Sequence, residues 1–105
     1  MTAAPSTGRG SGVSGTFDEV VHAPNRLQIC AFLDPLDQAE FAVVRDVLGA
    51  SDSVTSKHVK VLQDAGYLTV SKPTGKGRVK TWLALTPEGR SAYQGHVAAL
   101  RALLG

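Results

Sequence analysis

Ser51-Asp52-Ser53-Val54-Thr55-Ser56-Lys57-His58-Val59-Lys60-Val61-Leu62-Gln63-Asp64-Ala65-Gly66 carries the clearest helical pattern in the chain. Wound into a helix at about 100° per residue, it separates into two faces. Val54, Thr55, His58, Val59, Val61, Leu62 and Ala65 share an arc of a little under half the circumference. Ser53, Ser56, Lys57, Lys60, Gln63 and Asp64 fill the other arc. Ser51 or Asp52 can cap the start, because a side-chain oxygen there accepts the orphan N–H groups of the first turn. Gly66 stands where a left-handed C-terminal cap is wanted. The outer face offers hydroxyls and two lysines, with no carboxylate until Asp64. It reads either as a plain solvated face or as a helix laid into a DNA major groove, and the flanking sequence chooses between them.

Upstream, Phe41 to Leu48 forms a helix with Phe41, Val44 and Leu48 on one side. Gly49 closes it, and Gly49-Ala50-Ser51 makes a tight turn. Two amphipathic helices joined by a short Gly-bearing turn are a helix-turn-helix. Downstream, Tyr67 to Lys72 alternates, Leu68 and Val70 one way, Thr69 and Ser71 the other, as a strand does. Pro73-Thr74-Gly75-Lys76-Gly77 is turn chemistry. Arg78 to Leu85 alternates again, with Val79, Thr81, Leu83 and Leu85 on one face and Arg78, Lys80, Trp82 and Ala84 on the other. The pair is a hairpin with a basic, Gly-rich tip. Thr86-Pro87-Glu88 opens a last helix with a Thr cap, a proline in the first turn and an acid near the dipole's positive end. That helix runs to about Leu104. Its stripe is Tyr93, Val97, Leu100 and Leu104, with His96 and Leu103 beside it. Gly95 costs about 1 kcal/mol in a helix interior, so close approach of another helix is expected there.

At the N-terminal side, residues 1–15 are mostly Gly, Ser, Thr and Ala, with Pro5 and Arg9, have little to bury, and read as a disordered tail whose single basic residue is Arg9. The domain itself is expected over residues 16–105. Thr16 can cap Phe17-Asp18-Glu19, with Phe17, Val20 and Val21 on one side. Pro24 forces a kink or restart. Asn25 to Leu33 continues as a helix that is apolar nearly all round, which places it in the core or against a partner chain. Asp34-Pro35 ends it, and Leu36 to Glu40 is a connector with room for one brief strand.

The net charge of +2 over 105 residues hides its distribution. From Thr16 to Asp52 two basic residues face seven acidic ones, and from Ser53 to Lys80 six basic residues face one acidic one. A basic segment beside an acidic one suggests a polyanionic partner. Cys30 is the sole cysteine, so no disulfide forms within a chain. With no signal pattern and no apolar run long enough for a membrane span, a cytoplasmic location is expected. His22, His58, His96 and Cys30 match no usual zinc spacing, so no metal or other cofactor is expected. Gly75-Lys76-Gly77 lacks the strand-loop-helix setting of a phosphate loop. No catalytic constellation stands out, and Trp82 reads as a packing residue.

The order helix, helix, turn, helix, hairpin, helix resembles the winged helix-turn-helix of bacterial regulators of the MarR/ArsR type, an α+β, mainly α fold. The resemblance is to the small stand-alone regulators related to MarR. It rests on His22-Ala23-Pro24-Asn25-Arg26-Leu27, on Ser56 to Leu68, and on Leu83-Ala84-Leu85-Thr86-Pro87-Glu88-Gly89-Arg90. Thr55 departs from the family's usual core leucine, and its hydroxyl is expected to bond back to a helix carbonyl. The resemblance implies a sequence-specific, double-stranded DNA-binding transcriptional regulator, a repressor and not an enzyme. Ser53, Ser56, Lys57 and Lys60 would enter the major groove, and Lys76, Arg78 and Lys80 on the wing would meet the backbone or minor groove. A homodimer on a pseudo-palindromic operator is implied, with Phe17, Val21, Tyr93, Val97, Leu100 and Leu104 at its interface. No effector domain and no Cys-x-Cys metal motif is present, so an inducing small molecule is unidentified. The competing readings are a winged-helix protein-interaction module that binds no DNA, and a metal- or thiol-responsive sensor.

Overall fold

The computed structural model describes residues 15–73 and 80–105. Residues 1–14 of the tail expected over residues 1–15, and the wing tip with Lys76 and Arg78, lie outside the described residues. The elements are α1 (Glu19–His22), α2 (Pro24–Leu33), β1 (Ala39–Glu40), α3 (Phe41–Leu48), α4 (Asp52–Asp64), β2 (Leu68–Ser71), β3 (Trp82–Leu85) and α5 (Pro87–Leu104). This is a winged helix, mainly α, with one small antiparallel sheet in the order β1-β3-β2. Ala39 pairs with Leu83, and Leu68 with Leu85.

Local chemistry sets most boundaries. The cap of α1 is Asp18 and not Thr16: its Oδ1 accepts the Val21 N–H at 3.0 Å. Pro24 restarts the chain as the first residue of α2, where its missing N–H costs nothing. Gly49 ends α3 at φ 65°, a left-handed conformation that admits glycine without strain. Between the two candidates for capping α4, the side chain that does so is Ser51, accepting the Val54 N–H at 3.2 Å. Thr86 caps α5 through the Gly89 N–H at 2.9 Å, and its hydroxyl donates to the Gly66 carbonyl at 2.7 Å. The start of α5 is thereby tied to the end of α4.

The core is built from every element. Val21, Ile29, Cys30, Leu33, Val44, Leu62 and Leu83 are completely buried. Phe41 and Leu48 pack against that core at partial burial, as the α3 periodicity predicts. The strands keep the expected alternation, with Leu68, Leu83 and Leu85 inside and Thr69 and Ser71 outside. The face that α5 turns inward is Gly89, His96 and Ala99. The stripe expected to be its apolar side is displaced around the helix: Tyr93, Val97 and Leu100 are half-buried and Leu104 is exposed.

Gly95 has a different neighbour from the helix expected. A Cβ on Gly95 would lie 3.5 Å from the Thr16 nitrogen, and one on Gly15 would collide with the Gly95 carbonyl. The missing side chain of Gly15 therefore lets the chain's own N-terminal segment cross α5 at backbone contact, whereas a Cβ on Gly95 would make only ordinary van der Waals contact. The Asp18 N–H, just beyond that crossing, donates to His96 Nδ1 at 2.9 Å. With that nitrogen accepting, neutral His96 carries its proton on Nε2, facing His22 Nδ1 at 3.1 Å. Tyr67 donates to Asp18 Oδ2 at 2.6 Å, and the Phe17 ring packs on both imidazoles. One part-buried polar cluster, with His96 at its buried centre, thus clasps α1, α5 and the residue that precedes β2.

Candidate nucleic-acid interface

The elements above leave one side of α4 free. Thr55, Val59 and Leu62 turn inward, while Ser53, Ser56, Lys57 and Lys60 are all exposed. The four side chains expected to read a groove therefore stand on one outward face. Ser56, Lys60 and Gln63 of that face line a cleft with Lys72 and Thr81, residues from the base of the hairpin. Phe41, Val59 and Leu83 form the cleft's apolar floor. The helix and the foot of the wing thus flank a single surface.

The charges on that surface are not equally available. Lys60 donates to Asp64 one turn further on, at 2.8 Å. Lys80 is 3.7 Å from Glu40, a looser and largely exposed pair. Among the described residues, Lys57 and Lys72 have no ion-pair partner. Exposed pairs are weak, so Lys60 and Lys80 can exchange their carboxylates for a phosphate at little cost. Asp52, at the front of α4, would repel a polyanion, but Arg45 holds it at 2.8 Å. The arginine also reaches Asp46 at 3.1 Å, and these hydrogen bonds push its pKa further up.

His58 sits on the flank of α4, half-buried. Its Nδ1 lies 3.2 Å from Arg26 Nη1, and Arg26 Nε donates to the Val20 carbonyl at 2.5 Å. Burial first, then the charges of Arg26 and Lys57, pull its pKa down. It is a neutral spacer that ties the helix to α2. Lys72 and the Arg26–His58 link were not among the candidates picked from sequence. Lys72 had a signal in the strand pattern, as the basic residue just past an exposed serine. The link had none, since residues 26 and 58 meet only in three dimensions.

Two expectations are corrected by the coordinates. Thr55 Oγ1 is buried without a hydrogen-bond partner, so the expected bond back to a helix carbonyl is not made. Val21 is completely buried in its own chain and has no surface left for a partner. The other residues expected at a chain–chain contact retain surface: Phe17 is exposed at 39%, Leu104 at 86%, and Tyr93, Val97 and Leu100 are half-buried. Leu103, beside that set, is 75% exposed.

Cys30 is completely buried, and burial, with help from Asp18 and Asp34, pushes its thiol up to about 12. A thiol of that kind is a poor nucleophile and a poor redox sensor. Among the described residues no group of three or more His, Cys, Asp or Glu could hold a metal ion. No helix among them is long and apolar enough to cross a membrane.

Comparison with known proteins bears on the same region. The profile of the winged helix DNA-binding domain family matches residues 25–104. An uncharacterized protein of Methanocaldococcus jannaschii is 33% identical over 81 residues, which are 77% of this chain and 84% of that protein. The structure of a transcriptional regulator homologue from Pyrococcus horikoshii superposes with a TM-score of 0.78 at 25% identity, over 83% of this chain and 86% of that one. A zinc-responsive MarR family member of Lactococcus lactis gives a TM-score of 0.62 at 23% identity, over 83% of this chain and 59% of that one. That last likeness shows the fold alone.

Proposed function

This chain belongs to the winged helix DNA-binding domain family, and on that premise we propose that it is a sequence-specific transcriptional regulator, a repressor that occupies its operator as a homodimer. The observation that carries the reading is the outward face of α4, where Ser53, Ser56, Lys57 and Lys60 are exposed beside the foot of a basic wing. Hydroxyls and lysines on such a face meet base edges and phosphates in the major groove. Lys80 and Lys72 contact the backbone, as would Lys76 and Arg78, which lie outside the described residues.

Dimerisation is supported by apolar surface that the protomer does not cover. Leu103 and Leu104 stand exposed at the end of α5, next to half-buried Val97 and Leu100, and Phe17 is exposed on the segment that crosses α5. Burial of such surface stabilises by about 25 cal/mol per Å² and so favours association. A two-fold dimer would set its recognition helices about 34–36 Å apart, one turn of DNA, on a pseudo-palindromic site.

Fluorescence anisotropy with duplex DNA at two salt concentrations tests the reading. Affinity should fall steeply as salt rises, because each neutralised phosphate releases its counterions. Absence of duplex binding at low salt would favour a module that binds protein instead.

A further inference from the structure

Two neighbours in the first turn of α4 break that helix's pattern in opposite directions. Thr55 is completely buried with its hydroxyl unpartnered. Val54, one residue earlier, is 41% exposed, whereas Val59 and Leu62 of the same helix are buried and Val61 is half-buried. Valine and threonine have nearly the same shape. Exchanging the two would put methyls inside and a hydroxyl in water, which burial energetics favour. Local rules broken without a folding gain are expected where function imposes its own demand.

A lone exposed valine is ordinary on a protein surface, so its position matters more than its exposure. Val54 follows Ser53 in the first turn of the recognition helix, and N-terminal residues of such a helix contact base edges. A β-branched side chain in a helix has one strongly preferred rotamer, so its methyls stand in a fixed place and lose little freedom on contact. The major groove displays one apolar group, the C5-methyl of thymine, and apolar side chains recognise it by contact. We propose that Val54 is a specificity-determining residue that packs on a thymine methyl in each half-site. Lys57, three residues on and on the same side of the helix, and the preceding Ser53 supply polar contacts next to it. The inference rests on the DNA-binding reading above and names one base that the reading requires.

The test uses the full chain and a duplex selected from a random pool. Each thymine in turn is replaced by deoxyuridine, which removes only the methyl. At one thymine per half-site the wild-type protein should lose about three- to tenfold in affinity, the scale of one or two buried methyl groups. Val54→Ala should lose a similar factor on the thymine duplex and show no further loss when that thymine becomes deoxyuridine. Val54→Thr, which keeps the shape, should lose less than Val54→Ala. Val47→Ala, at an equally exposed valine on α3, serves as control and should keep full sensitivity to the methyl. Binding that is indifferent to every deoxyuridine, or equal coupling in the Val47 variant, overturns this inference alone. A chain that binds no duplex overturns the DNA-binding reading with it.

Discussion

Thr55 is the residue at which this fold departs furthest from its own rules. Its hydroxyl is buried and unpartnered, and a lost hydrogen bond of that kind costs about 1–3 kcal/mol. Thr55→Val replaces the hydroxyl by a methyl of the same size. The variant is expected to be more stable by about 1 kcal/mol, seen as a higher midpoint in urea unfolding at an unchanged slope. An unchanged or lower midpoint would mean that the hydroxyl has a partner, such as a buried water. Sequence could identify Thr55 as an odd core residue because its place on the helical wheel is fixed. It could not say where the hydroxyl points, and the expected bond to a helix carbonyl proved absent.

At the scale of elements, the clasp between the N-terminal segment and α5 makes a prediction about pH. His96 is completely buried and accepts from the Asp18 N–H, which requires its Nδ1 to be unprotonated. Burial first, then the neighbouring His22, lowers its pKa below the ordinary 6.5, while Asp18 and Glu19 oppose that shift. The unfolded chain therefore takes up the proton at a higher pH than the folded one. The stabilisation is complete above the unfolded value near 6.5 and is lost as pH falls below it towards the folded value. His58 shifts in the same direction and adds to the slope. Urea unfolding between neutral pH and mild acid should show this decline. His96→Asn retains an acceptor for Asp18 without titrating, and should flatten the decline at some cost in stability. An unchanged slope in that variant would place the proton uptake elsewhere.

The same elements show why some of the fold was legible and some was not. Capped, periodic helices such as α4 and α5, and strands that alternate as β2 and β3 do, announce themselves through local chemistry. The helix-turn-helix and the hairpin followed from those signals. The inward face of α5 did not, because Gly89 and His96 are buried against Tyr67 and Asp18, which are distant in sequence, and not by their own hydrophobicity. Gly95 pointed to a close approach, but its partner was Thr16, nearly eighty positions away in sequence. The outward face of α4 was readable residue by residue. The pairing of Lys60 with Asp64 was readable in principle from its spacing of four. The Arg26–His58 link was not.

At the scale of the whole molecule, the proposed regulator has two working surfaces, a cationic face for DNA and an apolar margin for a second copy. Leu100 is half-buried on that margin, so a carboxylate there can be hydrated in the isolated protomer but not between two of them. Leu100→Glu is expected to sediment as a folded monomer and to lose operator affinity, while weak non-specific binding persists. A dimer that survives the change would move the interface away from α5. Contact between the outward side of α4 and the duplex stands or falls with the Lys57→Ala/Lys60→Ala double variant, measured by anisotropy on a selected operator beside wild type. Neither lysine supports the core, so the fold should persist, with affinity reduced about tenfold or more and a shallower dependence on salt. Wild-type affinity in that variant would mean that the duplex lies elsewhere on the protein.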